Sequence, residues 1–253
     1  MNETQLDKLV SFLDTELCLS EFREDESANG LQVEGRAKIR KAGLAVDACE
    51  YVFRKAAEKE IDFLFVHHGL IWGGLRTVSG VTRQRIKALL DSEISLYACH
   101  LPLDWHPQYG NNAQLLKLLS IKKMGAFGTY HGENISYWGK TAKELSLDDF
   151  RLRVDNALGA RSSAISFGKR VRNVGVVSGG GWFAINETDK YNIDTFLTGE
   201  PSHSAYTLAE EMKVNLVFAG HYATETLGVK AVGQVLKKRF GLTAEFIDHP
   251  TGL

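Results

Sequence analysis

The feature that most constrains this chain is a series of short apolar runs, each ending in polar residues and separated by stretches of helical periodicity. Phe63-Leu64-Phe65-Val66 gives way to His67, His68 and Gly69; Ser95-Leu96-Tyr97-Ala98-Cys99 opens into His100; Leu216-Val217-Phe218-Ala219 opens into Gly220 and His221. Runs this short, apolar at consecutive positions, suit strands buried on both faces. Between and around them, residues 48–59, 82–91, 112–119, 147–158, 203–212 and 225–239 carry helical patterns, and further strands are expected at 39–46, 171–178, 193–198 and 244–248. Strand alternating with helix predicts βαβ units and largely parallel sheets, an α/β fold.

Leu6, Leu9, Val10, Leu13 and Leu17 recur at helical spacing and predict an amphipathic helix over 3–17. Asp47 stands where a helix N-cap belongs, as does Asn111 or Asn112 before the helix at 112–119. Residues 29–35 read as a turn, and 123–146, rich in glycine and aromatics, as a small antiparallel excursion. Two α/β halves, 1–123 and 124–253, result. No Pro- or Ser-rich linker divides them, so packed lobes are expected, with segments free to cross over.

The 30 Lys and Arg residues nearly balance the 31 Asp and Glu, giving no electrostatic reason to expect a nucleic-acid or anionic-membrane partner. Three cysteines far apart argue against a disulfide framework and suit a reducing compartment. The N-terminus has no basic segment leading into an apolar one, and no run approaches the ~20 apolar residues of a membrane span. A cytoplasmic protein is the expectation.

In parallel α/β sheets, working residues gather beyond the carboxyl ends of strands. Three strand ends here supply His67 and His68, then His100 and Asp104, then His221 and Glu225. If a helix begins near residue 222, His221 and Glu225 share a face, four residues apart. A single strand-end histidine is commonly a structural, hydrogen-bonded residue, and acids near helix starts are commonly caps. Three such ends together change the balance, because buried charged groups need a partner or a metal. Mixed imidazole and carboxylate donors without thiolates favour Zn²⁺, Fe²⁺, Mn²⁺, Co²⁺ or Ni²⁺ over Ca²⁺ and over a closed structural zinc site.

These residues belong to a longer series: Asn29-Gly30-Leu31-Gln32-Val33-Glu34-Gly35, Val66-His67-His68-Gly69, His100-Leu101-Pro102-Leu103-Asp104, Gly110-Asn111-Asn112-Ala113, Ser178-Gly179-Gly180-Gly181, Thr198-Gly199-Glu200 and Gly220-His221-Tyr222-Ala223-Thr224-Glu225. In this order, over nearly the whole chain, they resemble the Nif-three-like dinuclear metal-centre family, whose members are labelled GTP cyclohydrolase 1 type 2 homologues. The resemblance implies two intertwined α/β lobes with the metal site between them, and a toroidal homohexamer. It implies two divalent ions, with His67 and His221 on one, His68 and Asp104 on the other, and Glu225 bridging. The span 105–220 leaves no room for the extra domain that some relatives carry.

A pair of ions ~3.5–4 Å apart activates water and clamps a substrate oxygen, so hydrolysis of a nucleotide or related small molecule is the expected reaction class. Glu225 and His100 are the candidate catalytic residues, His100 as an orienting group or proton shuttle, with a structural hydrogen bond weighing equally. Glu200 reads as a charge opening the next helix or as a second approach to the site, with His203 beside it. Gly179, Gly180 and Gly181 read as a tight turn or as a nest for phosphate. Trp72, Trp105 and Trp182 are core or subunit contacts or stack on a base. His106, His131 and His249 are expected to be surface or structural residues, and Lys237-Lys238-Arg239 a solvated helix end. A non-enzymatic metal-binding scaffold is the competing reading; a ring threaded by DNA lacks the basic surplus it requires.

Overall fold

The structure is a computed structural model describing residues 3–74, 77–168 and 170–253. In chain order it comprises β1 (Thr4–Gln5), α1 (Leu6–Glu16), β2 (Gly30–Val33), β3 (Lys38–Ile39), β4 (Lys41–Asp47), α2 (Glu50–Glu58), β5 (Phe63–His68), α3 (Gly80–Asp91), β6 (Ser95–Ala98), α4 (Leu101–Trp105) and α5 (Asn111–Leu118). There follow β7 (Lys122–Tyr130), β8 (Glu133–Leu145), α6 (Leu147–Leu158), β9 (Ser163–Ile165), β10 (Val171–Val177), β11 (Thr195–Thr198), α7 (His203–Met212), β12 (Asn215–Phe218), α8 (His221–Phe240) and β13 (Thr243–Phe246). The fold is mixed α/β, as the alternation requires.

By its contacts the chain forms two compact units, one of residues 1–103 and 228–249, the other of 104–227 and 250–253. The first unit carries a five-stranded sheet in the order β13-β4-β5-β6-β2. Its first three pairings are parallel and the last, β6 with β2, is antiparallel. The middle strands β4, β5 and β6 are largely apolar, as strands covered by helices must be: Val52, Phe53 and Ala56 of α2 and Leu89 of α3 join Leu64, Val66, Leu96 and Ala98 in one core. β2 falls in the segment whose sequence reads as a turn. Its Gly30 has φ +108° and its register shifts between Leu31 and Val33, so glycine and irregular pairing mask the strand.

The second unit carries a six-stranded sheet in the order β7-β8-β10-β11-β12-β9. The β10, β11 and β12 pairings are parallel. The expected antiparallel excursion is the long β7–β8 hairpin, turned at His131-Gly132. One face packs on α5 and α6 through Leu115, Leu116, Phe150 and Val154, and the other on Ala205 and Ala209 of α7.

Two expected helix caps are corrected. Cys49, not Asp47, is the N-cap of α2, and Gly110 is the N-cap of α5, which begins at Asn111. Asp47, Asn111 and Asn112 have other partners, described below. No described helix is long and apolar enough to cross a membrane.

Candidate functional site

The first unit brings three imidazoles together. His67 and His68 end β5, and His100 follows β6, which lies parallel beside it. Neighbouring residues on a strand ordinarily face opposite sides. Here the strand ends as the chain turns at Gly69, and the His67 and His68 rings lie 4.6 Å apart, centre to centre. The His100 ring is 5.2 Å from that of His67. A ring nitrogen from each lies within 4.8 Å of the others, so the trio can hold a metal ion.

What holds each ring decides what it can do. His67 is fully buried and its Nδ1 donates to the carbonyl of Cys99 at 2.9 Å. His68 Nδ1 donates to Asp47 Oδ1 at 2.8 Å, which is what Asp47 does in place of capping α2. His100 Nδ1 donates to Asp25 Oδ1 at 2.9 Å. Carbonyl and carboxylate oxygens only accept, so in each neutral ring the proton sits on Nδ1 and Nε2 keeps its lone pair. This is the tautomer of a metal-ligating histidine whose other nitrogen is held by an oxygen acceptor. His106 provides the contrast. Its Nδ1 accepts from the backbone N–H groups of Gln108 and Tyr109, a structural loop bond.

Asp25, the partner of His100, comes from a segment with no local signature. Asp25, whose side chain is 1% exposed, accepts from His100, from Asn29 Nδ2 and from the N–H groups of Ser27 and Leu101. Burial pushes the Asp25 carboxyl up, but the hydrogen bond and charge of His100, with Asn29 and Ser27, outweigh it and hold the carboxyl below its ordinary 3.8. Asn29 Oδ1 also accepts from the His100 N–H at 2.7 Å. Gln32 Oε1 accepts from the N–H groups of Leu70 and Ile71, fixing the chain just after the paired histidines. A Cβ on Gly69 would collide with Gln32 and Ala98, so the turn there admits no larger residue.

The second unit brings carboxylates. Asp104, 6% exposed, is held at Oδ1 by Asn111 Nδ2 at 2.9 Å and by the Ser178 hydroxyl at 2.8 Å. Asn112 donates to the Asp104 and Ile135 carbonyls and accepts from the Ser178 N–H. The asparagines expected as caps are therefore the scaffold of Asp104. α8 begins at His221, and Glu225, 3% exposed, lies one turn on, with Oε1 3.2 Å from His221 Nε2. Glu200 approaches from the other side, its Oε2 3.1 Å from His221 Nδ1. The hydrogen bond to Glu225 is the main reason His221 rises from 6.5 to about 9. Burial opposes it; the charges of Glu225 and Glu200, with the Glu200 hydrogen bond, add to it. A cation held by His221 would have to displace a proton, and Glu200 orients the ring. Glu200 therefore serves the imidazole; it does not open α7, whose N-cap is Ser202.

The glycine triplet has a packing explanation. Gly179 has φ +59°, and a Cβ there would collide with Glu225 Oε1. The Gly179 and Gly181 N–H groups donate to Thr224 Oγ1 and Thr198 Oγ1. With two of its three amides committed, the turn serves the approach of the chain to Glu225, and a phosphate nest does not fit.

The remaining candidates lie elsewhere. His203 is exposed at the start of α7, His131 is exposed in the hairpin turn against Tyr130, and His249 stacks on Tyr51 at 4.2 Å. Trp105 packs edge-on to His106, and Trp182 is largely exposed. Lys237, Lys238 and Arg239 form the exposed last turn of α8. The imidazoles of the first unit, and the buried carboxylates with His221 in the second, are donor types that fit borderline divalent cations.

The chain matches the family Duf34/NIF3 (NGG1p interacting factor 3) over residues 4–251. It is 47% identical over 249 residues to the GTP cyclohydrolase 1 type 2 homolog of Pyrococcus horikoshii, covering 98% of this chain and 99% of that one. The Pyrococcus abyssi protein of the same name is 45% identical over 254 residues, covering 98% and 99%. Among solved structures, TTHA1606 from Thermus thermophilus is 40% identical with a TM-score of 0.90, and protein ybgI, of unknown function, 32% identical with a TM-score of 0.93. Each covers 99% of this chain and 100% of its own. A family model matched from one end of the chain to the other, with relatives above 40% identity, makes this protein a member of the Duf34/NIF3 family.

Proposed function

We propose that this protein is a metal-dependent hydrolase of a nucleotide or related small molecule, built on two divalent cations held by His67, His68, Asp104, His221 and Glu225. The observation that carries the reading is the common orientation of the imidazoles. His67, His68 and His221 each turn Nδ1 to an oxygen, which directs Nε2 toward a ligand. A structural histidine has no need of that shared pattern, as His106 illustrates. The names of the relatives add support for the nucleotide class.

Such a pair of ions, when bound, lowers the pKa of a shared water and polarises a substrate oxygen. The protein supplies the rest. Asp104 and Glu225 would hold the cations with buried negative charge. His100, braced by Asp25, presents Nε2 as the group that takes or returns a proton during attack. An assembly of six chains belongs to the same reading, which light scattering tests.

Protein loaded with Mn²⁺, Zn²⁺ or Fe²⁺ is expected to turn over a member of a nucleotide panel, with about two ions per chain by elemental analysis. Glu225→Ala should abolish both turnover and the second ion. Turnover that survives this change removes the metal from the mechanism. Stoichiometric metal with no turnover of any compound favours a binding scaffold.

A further inference from the structure

Beside the three histidines stands a residue that metal binding does not require. Trp72 lies three residues beyond Gly69, and its indole remains 39% exposed. Its ring meets that of His100 edge-on, centres 4.9 Å apart at 71°, and lies 6.2 Å from that of His68. Its one polar atom is already used: Nε1 donates to the Gly69 carbonyl at 2.9 Å. What the indole offers outward is therefore an apolar π surface, next to a group of polar ligands. An exposed tryptophan face in such a place points to a ring partner.

The indole is held firmly. Trp72 pairs with Ser27 in an isolated antiparallel bridge, with the Ala28 N–H donating to the Ile71 carbonyl and the Gly73 N–H to that of Glu26. The same stretch carries Asp25 and Asn29, which fix His100. One short segment thus sets the indole and the His100 imidazole against each other. A surface fixed in advance binds a flat partner without having to be ordered first. A flat, sequence-tolerant π contact also matches what nucleobases offer.

We propose that Trp72 is the stacking wall for the substrate's planar nitrogen heterocycle, and so selects ring-bearing, nucleobase-type substrates over the phosphorylated sugar alone. This rests on the reading of the histidine group as part of a metal-dependent hydrolytic site.

The test compares AMP, GMP and ribose 5-phosphate as probes, by titration calorimetry on the full-length, Mn²⁺-loaded protein. It is run on the unchanged protein, Trp72→Phe and Trp72→Leu, and metal content is measured for each. One nucleotide at least should bind on the order of tenfold more tightly than ribose 5-phosphate. Trp72→Phe should keep most of that preference, and Trp72→Leu, which keeps apolar bulk without a π face, should lose it, with metal content unchanged in both. A preference equal in all three proteins overturns the proposal, as does no preference, or no binding of either nucleotide. A change of assembly mass in Trp72→Leu with ring preference intact makes the indole a subunit contact and overturns it too. Failure to take up metal in the unchanged protein sinks the metal reading separately, and the same titrations on metal-free protein then read the Trp72-dependent ring preference by itself.

Discussion

The two donor groups are built by different means. In the first unit the direction of three imidazoles is set by hydrogen bonds at Nδ1, to a carbonyl and to two carboxylates, one of them almost wholly buried. In the second unit the charge lies on Asp104 and Glu225, and direction is set partly by packing, with glycine admitting the chain up to Glu225. The first group is oriented as a ligand should be before any cation arrives. The second has its histidine raised to about 9, so a cation must compete with a proton there.

Gly179 breaks or sustains this contrast most forcefully. Gly179→Ala adds left-handed strain and a collision with Glu225 Oε1, and is expected to cost about 2–5 kcal/mol and to remove metal uptake. Gly73→Ala is the control: φ is +57° but nothing lies within 4 Å of the new Cβ. It should cost only about 1–2 kcal/mol and spare the metal. Chemical denaturation and elemental analysis read both; equal costs would show that packing against Glu225 is not what the glycine is for.

The two carboxylate braces come next. Asp25→Ala leaves several buried donors without their acceptor and should cost about 2–3 kcal/mol of stability. Glu200 is half exposed, so Glu200→Ala should cost less than about 1 kcal/mol. Its effect should appear as roughly 10–100-fold weaker metal binding, measured by competition with a chelator. A Glu200→Ala variant that binds metal as tightly as the unchanged protein would reduce this contact to a surface ion pair.

The smallest effect is in pH. Asp25 has its folded pKa below the ordinary 3.8, so its contribution is complete above that value and is lost as pH falls through the folded value. The stability gap between the unchanged protein and Asp25→Ala should hold from about pH 7 to 5 and narrow toward about pH 2, as denaturant midpoints will report. A gap that does not narrow assigns the loss to packing rather than to the carboxylate.

Much of the site is legible in the sequence, because its donors stand at strand ends and helix starts where local pattern reveals them. The helices at 147–158 and 203–212 match their expected bounds, being strongly periodic and flanked by clear breaks. Asp47, Asn111 and Asn112 read wrongly as caps, since a polar residue before a helix satisfies the same local rule whether it turns to the backbone or to a distant side chain. Asp25 and Gln32 carry no local signal of their roles, and Glu200 looks from its neighbours chiefly like a helix-start charge.

By itself, the order of apolar runs and periodic stretches determined an α/β chain with imidazoles and carboxylates at the ends of its strands, because burial and side-chain period act between near neighbours. Tertiary structure alone decided which nitrogen of each ring is held by a hydrogen-bond acceptor. That choice rests on an acceptor delivered from far along the chain: Asp25 is 75 residues from His100, and Asp47 is 21 from His68. A proton settles on Nδ1 only where an oxygen waits for it.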